Sequence, residues 1–131
     1  MKIKKPNYFK EKNGSLTSLS LKKNFPIKCK RIFFLYTKKN DIRGKHAHKK
    51  CSQYIFPLIG TMQLKLISKK GVKKKILKQK NLTGYLLKPF TWVEIKFLSK
   101  HNLAMVICDK EYDSKDYIRN FIDFKKKIKI N

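Results

Sequence analysis

Apolar and polar residues alternate along most of this chain in short bursts. Residues 31–37, RIFFLYT, are dense in β-branched and aromatic types; Ile32, Phe34 and Tyr36 fall on one face and Phe33 and Leu35 on the other, the period of a strand. Residues 46–59 read as a second extended region, closed by a turn at Gly60 and Thr61. Met62, Leu64 and Leu66 then alternate with Gln63 and Lys65, the pattern of a half-buried strand. Lys69, Lys70 and Gly71 predict a hairpin into a short strand at 72–77. A turn at 81–84, a strand at 85–87 and a loop or strand edge at Pro89 follow. Across 92–97, Val93, Ile95 and Phe97 share one side, with Trp92, Glu94 and Lys96 on the other. His101 and Asn102 turn the chain into a buried strand at 103–108. Helical spacing comes only at the end, where Ser114 is placed to cap a segment carrying Tyr117, Ile118, Phe121, Ile122 and Phe124.

Short strands with turn signals about ten residues apart predict an all-β barrel or sandwich. The 131 residues fit a single domain, 1–131, with enough chain to bury a core without staples. Residues 1–20 are polar and irregular and read as an extended arm with a short strand at 15–21; residues 125–131 read as a loose basic tail. Three cysteines, Cys29, Cys51 and Cys108, with no CxxC spacing fit reduced thiols and a cytoplasmic protein. Neither a signal-peptide pattern nor an apolar run of membrane-spanning length is expected to operate here.

The formal charge of +26 favours anionic partners. It argues less for nucleic acid than its size suggests. Of the 34 basic residues, 31 are lysine and only Arg31, Arg43 and Arg119 are arginine, the better fork for phosphates and guanine edges. The lysines are also spread along the whole chain, as a compositional bias spreads them.

The candidate chemistry lies in residues 43–60, RGKHAHKKCSQYIFPLIG. His46 and His48 are two apart, so in extended chain both imidazoles project from one face. Arg43 precedes them, Lys50 shares their parity, and an apolar run follows. Histidine titrates near neutrality without help and suits proton transfer at carbon. Arg43 or Tyr36 is placed to support a developing oxyanion, and Trp92 and Glu94 to line a pocket or orient an imidazole. Cys51 reads as structural.

The order of these residues resembles the cupin motifs. His46-x-His48 is followed five residues on by Gln53 and then by Gly60; Gly84, Pro89 and Glu94 stand where the second motif would lie. Gln53 occupies the acidic ligand's place and Glu94 that of the last histidine, a set poorly suited to holding a metal. Further pieces are Arg43-Gly44-x-His46-Ala47-His48-Lys49, Pro89-x-x-Trp92-x-Glu94, and Tyr112-Asp113-x-x-Asp116-Tyr117-Ile118-Arg119 with Phe124. Together they resemble the nucleotide-sugar 3,4-ketoisomerases that act on TDP-4-keto-6-deoxyglucose, over about residues 27–124. The resemblance implies a cupin-type β-barrel or jelly roll with a short C-terminal helix, and an isomerase needing no metal or other cofactor. It also implies a TDP-linked keto-deoxysugar as substrate, and a homodimer with N-terminal strand exchange. His46, His48, Tyr36 and Arg43 are then the expected catalytic residues. Lys50, Gln53, Trp92, Glu94 and Arg119 are the expected substrate contacts. A metal-dependent cupin enzyme, a nucleotide-sugar epimerase and a non-catalytic sugar-binding cupin are the alternatives; membrane and nucleic acid are not expected partners.

Overall fold

The computed structural model describes residues 6–23, 25–81 and 83–129. Eleven strands and one helix follow in order: β1 (Asn7–Glu11), β2 (Gly14–Ser18), β3 (Arg31–Lys38), β4 (Ile42–His48), β5 (Gln53–Ile59), β6 (Thr61–Ser68), β7 (Gly71–Lys78), β8 (Tyr85–Leu87), β9 (Trp92–Phe97), β10 (His101–Cys108), β11 (Tyr117–Ile118) and α1 (Phe121–Ile128). β1 and β2 form a hairpin of their own. The remaining strands make two antiparallel sheets, ordered β3-β10-β5-β8 and β11-β4-β9-β6-β7. This is the jelly-roll arrangement that the sequence resemblance implied.

The period-2 pattern decides which side of each strand turns inward. Leu64, Leu66, Val93, Ile95, Phe97, Ala104 and Val106 belong to one buried cluster between the sheets, with Phe33 and Leu35 packed against it. Burying side chains of this size contributes about 1.5–3 kcal/mol each. Ile32, Phe34 and Tyr36 face outward from β3, an edge strand, and stay 46 %, 46 % and 79 % exposed.

The C-terminal region departs from the expected single helix. Residues Ser114–Asp116 make one 3-10 turn, Tyr117–Ile118 pair with β4 as β11, and α1 begins only at Phe121. The cap is therefore Asn120, whose side chain accepts from the amide of Asp123. Ile118, Phe124 and Ile128 pack with Ala47 and Trp92 against the outer face of the second sheet. The helix runs through Ile128, which is buried, so residues 125–128 are not a loose tail. Leu82 of the predicted turn, residues 1–5 of the arm and residues 130–131 of the tail lie outside the described residues.

Candidate active site

β4 is bent by a bulge between Gly44 and His46. Gly44 has φ 88°, and a Cβ there would stand 2.7 Å from the carbonyl oxygen of Val93, so no other residue fits without moving β9. Lys45, with φ 58°, completes the bulge. Beyond it His46 and His48 share one face, their rings 5.2 Å apart and edge-on. β11 lies antiparallel alongside and sets Tyr117 opposite His48. The Tyr117 ring consequently sits 4.3 Å from that of His48 and 5.1 Å from that of His46.

Both histidines have one nitrogen committed. His46 Nδ1 is 3.1 Å from the carbonyl oxygen of Gly44, which can only accept, so the proton is on Nδ1. His48 Nδ1 donates to Asp116 Oδ2 at 2.9 Å. Each ring therefore offers Nε2 as a lone pair; that of His48 is buried and has no partner. Asp116 is itself fixed by the amides of Lys50 at 2.8 Å and Cys51 at 3.2 Å. Burial lowers the affinity of His46 for a proton, and the neighbouring His48, Arg119 and Arg43 add to this against the Gly44 carbonyl, bringing its pKa to about 4. Burial also lowers His48, opposed by Asp116. Burial pushes the Asp116 carboxyl up, but the hydrogen bonds from His48, Lys50 and Cys51 outweigh it and hold the group below its ordinary value.

His46 opens into a cavity of about 360 Å³ at one end of the barrel. Arg43, Gln53, Tyr117 and Arg119 line it with apolar side chains from both sheets. Arg119 lies over the Tyr117 ring at 4.3 Å. Across from the histidines, Arg31, Cys108 and Gln53 are in register on β3, β10 and β5. Gln53 Nε2 donates to Cys108 Sγ at 3.3 Å. A larger cleft of about 890 Å³ lies elsewhere, beside Lys69, Lys73, Lys88 and Lys127, but no histidine or carboxylate lines it.

Of the residues expected from the sequence, His46, Arg43, Gln53 and Arg119 meet at the cavity, with His48 directly behind. Four do not join them. Tyr36 is on the outer face of β3, away from the barrel interior, because the inward positions are Phe33 and Leu35. Lys50 lies past the end of β4, exposed, and meets the site only through its amide. Trp92 and Glu94 are on the outer side of β9: the Trp92 indole packs on Phe121 and Phe124 and donates to Glu94 Oε2 at 3.1 Å. Val93 takes the inward place. With Glu94 turned away, the cavity lining offers a metal one imidazole and a neutral amide beside two arginines, a donor set that fits no divalent ion well. His48, Cys51 and Asp116 do cluster, but His48 Nδ1 and the carboxylate are already bonded to each other.

The structure also brings Asp116 and Tyr117 to the histidines, which the sequence reading did not place there. Both are hidden when their segment is read as helix, although Asn120 is a cap signal placed after them.

The FdtA model, described as WxcM-like, C-terminal, matches residues 1–129. A TDP-4-oxo-6-deoxy-alpha-D-glucose-3,4-oxoisomerase of Aneurinibacillus thermoaerophilus is 33 % identical over 123 residues, 92 % of this chain and 88 % of that one. The sugar 3,4-ketoisomerase QdtA of Thermoanaerobacterium thermosaccharolyticum, crystallised with TDP, superposes with a TM-score of 0.83 at 28 % identity, covering 95 % of this chain and 91 % of that one. A 3,4-ketoisomerase from Helicobacter canadensis gives the same score and identity over 96 % and 95 %. With the match running through the histidine strand, the bulge and the Asp116–Arg119 segment, the chain belongs to the FdtA, WxcM-like C-terminal family.

Proposed function

We propose that the protein moves the keto group of TDP-4-keto-6-deoxyglucose from C4 to C3 by proton transfer through an enediol. The observation that carries this reading is the Nε2 lone pair of His46 at the wall of a cavity flanked by two arginines. A proton α to a ketone needs a neutral base, and His46 is neutral above about pH 4. Arg43 and Arg119 suit the diphosphate of a nucleotide sugar. His48, locked by Asp116, presents a second lone pair behind His46 and fixes its ring. The free state of Cys29, Cys51 and Cys108 fits a reducing, cytoplasmic setting. No described helix is long and apolar enough to cross a membrane.

A homodimer is part of this reading. The β1–β2 hairpin leaves Tyr8, Phe9 and Leu16 exposed, and the outer face of β3 does the same with three large side chains. An apolar edge strand and an isolated hairpin are what a second copy would cover.

The test is NMR of the nucleotide sugar in D2O with catalytic protein and EDTA. A 3-keto product is expected, with deuterium at its C4 and at C3 of recovered substrate. The His46→Asn variant should lose about a hundredfold or more in turnover. Exchange confined to C5 would indicate an epimerase, and binding without exchange a carbohydrate-binding protein.

A further inference from the structure

Moving a ketone from C4 to C3 transfers two protons. One leaves C3 and one arrives at C4; one leaves the oxygen on C3 and one arrives at the oxygen on C4. His46 suits the carbon pair. Neither histidine begins with a proton to give to oxygen, since each Nδ1–H is engaged by Gly44 or Asp116 and each Nε2 is a lone pair. A hydroxylic group must therefore lie beside His46, and in the cavity lining that group is Tyr117.

We infer that the Tyr117 hydroxyl, with the Arg31 cation nearby, carries the oxygen-to-oxygen proton. Tyr117 is fixed from every side: by pairing of β11 with β4, by both imidazoles, by Arg119 at 4.3 Å and by Tyr112 at 5.8 Å. Arg31 is on the inward face of β3, in register with Cys108, and its guanidinium stands 5.5 Å from the ring of Tyr112, which in turn packs on Tyr117. Its Nε is buried without a partner, and no carboxylate lies within 4.0 Å of it among the described residues. A half-buried cation with no carboxylate partner is poised for charge that appears only during reaction. The steps balance. His46 takes the C3 proton while Tyr117 gives its own to the C4 oxygen, leaving an enediol and a phenolate beside Arg31. Tyr117 then recovers the proton of the C3 oxygen as His46 delivers one to C4, and both groups return to their starting states. Tyr117 is the catalytic residue and Arg31 a positioning residue acting through it.

The inference rests on the ketoisomerase reading, and the test separates the two. Tyr117→Phe keeps the ring and its packing and removes only the hydroxyl. Its kcat should fall about a hundredfold or more, with KM within about threefold, wash-in of deuterium at C3 reduced in step, and an unchanged melting temperature. Arg31→Met should lower kcat in the wild-type background and add little to Tyr117→Phe, because the two residues act as one unit. If Tyr117→Phe turns over at close to the wild-type rate while His46→Asn is inactive, the Tyr117 assignment is wrong and the isomerase reading stands. Fully multiplicative losses in the double variant would remove Arg31 from the relay. A wild-type protein that isomerises nothing overturns both.

Discussion

At the scale of single residues the site depends on keeping His46 neutral. Burial and the cations around it depress its pKa to about 4, against about 6.5 in an unfolded chain. Two consequences share that window. The acid limb of kcat/KM for the free enzyme should fall near pH 4, not near 6.5, because the base remains a lone pair throughout. Stability moves differently. Between these values the unfolded state binds a proton that the folded state does not, so folding should weaken as pH falls from about 6.5 to 4. His48, also lowered by burial, acts in the same sense. Asp116, held below its ordinary value, adds its own loss only at lower pH still. Thermal melts and initial rates across this range check both statements; a melting temperature flat from pH 7 to 4 would contradict the burial argument. His46→Asn should flatten part of the stability slope, since asparagine does not titrate.

At the scale of elements the strands were legible in the sequence because period 2 and the turn glycines agree. β3, β6, β9 and β10 fall within a residue or two of where alternation puts them. The site was half legible. Parity groups His46 with His48, but parity alone does not say which face of a strand turns inward. Tyr36 and Glu94 were therefore placed inside when Phe33, Leu35 and Val93 occupy those positions. Nor does a two-residue strand such as β11 have enough length to show a period. Tyr117, Ile118, Phe121 and Phe124 do have helical spacing, but the first pair satisfies its backbone against β4. The division makes α1 a clamp. Phe124 is fully buried against Trp92 and shares a cluster with Ile118, the neighbour of Tyr117. Phe124→Ala should cost about 3–5 kcal/mol, measured by chemical denaturation. Its kcat should also fall in the folded protein, because β11 loses the packing that sets Tyr117 against the histidines. A variant with the full stability loss and an unaltered kcat would show that pairing with β4 alone holds β11.

At the scale of the whole molecule the charge governs association. Among the described residues none of the eight carboxylates lies within 4.0 Å of a lysine or arginine nitrogen, and Asp116 is bonded to the neutral His48. The lysines therefore form a positive field that carboxylates do little to neutralise. That field attracts the dianionic diphosphate of a nucleotide sugar and concentrates it at the cavity mouth. The same field makes two copies of the chain repel. The Debye length falls from about 10 Å at 0.1 M salt to about 3 Å at 1 M, so salt should act on the two equilibria with opposite sign. KM for the nucleotide sugar should rise several-fold between these salt concentrations. kcat should change much less, because His46 and Tyr117 work in a partly buried cavity beyond the reach of mobile ions. The dimer proposed above, through the outer face of β3 and the β1–β2 hairpin, should strengthen over the same range, since screening removes the repulsion and leaves the apolar contact. Rate measurements at saturating and limiting substrate, paired with light scattering at each salt concentration, read all three quantities. A dimer that dissociates as salt rises would mean that charge pairing, not the exposed apolar face, joins the subunits. That interface would then have to use the few acidic side chains at the surface in place of Ile32, Phe34 and Tyr36.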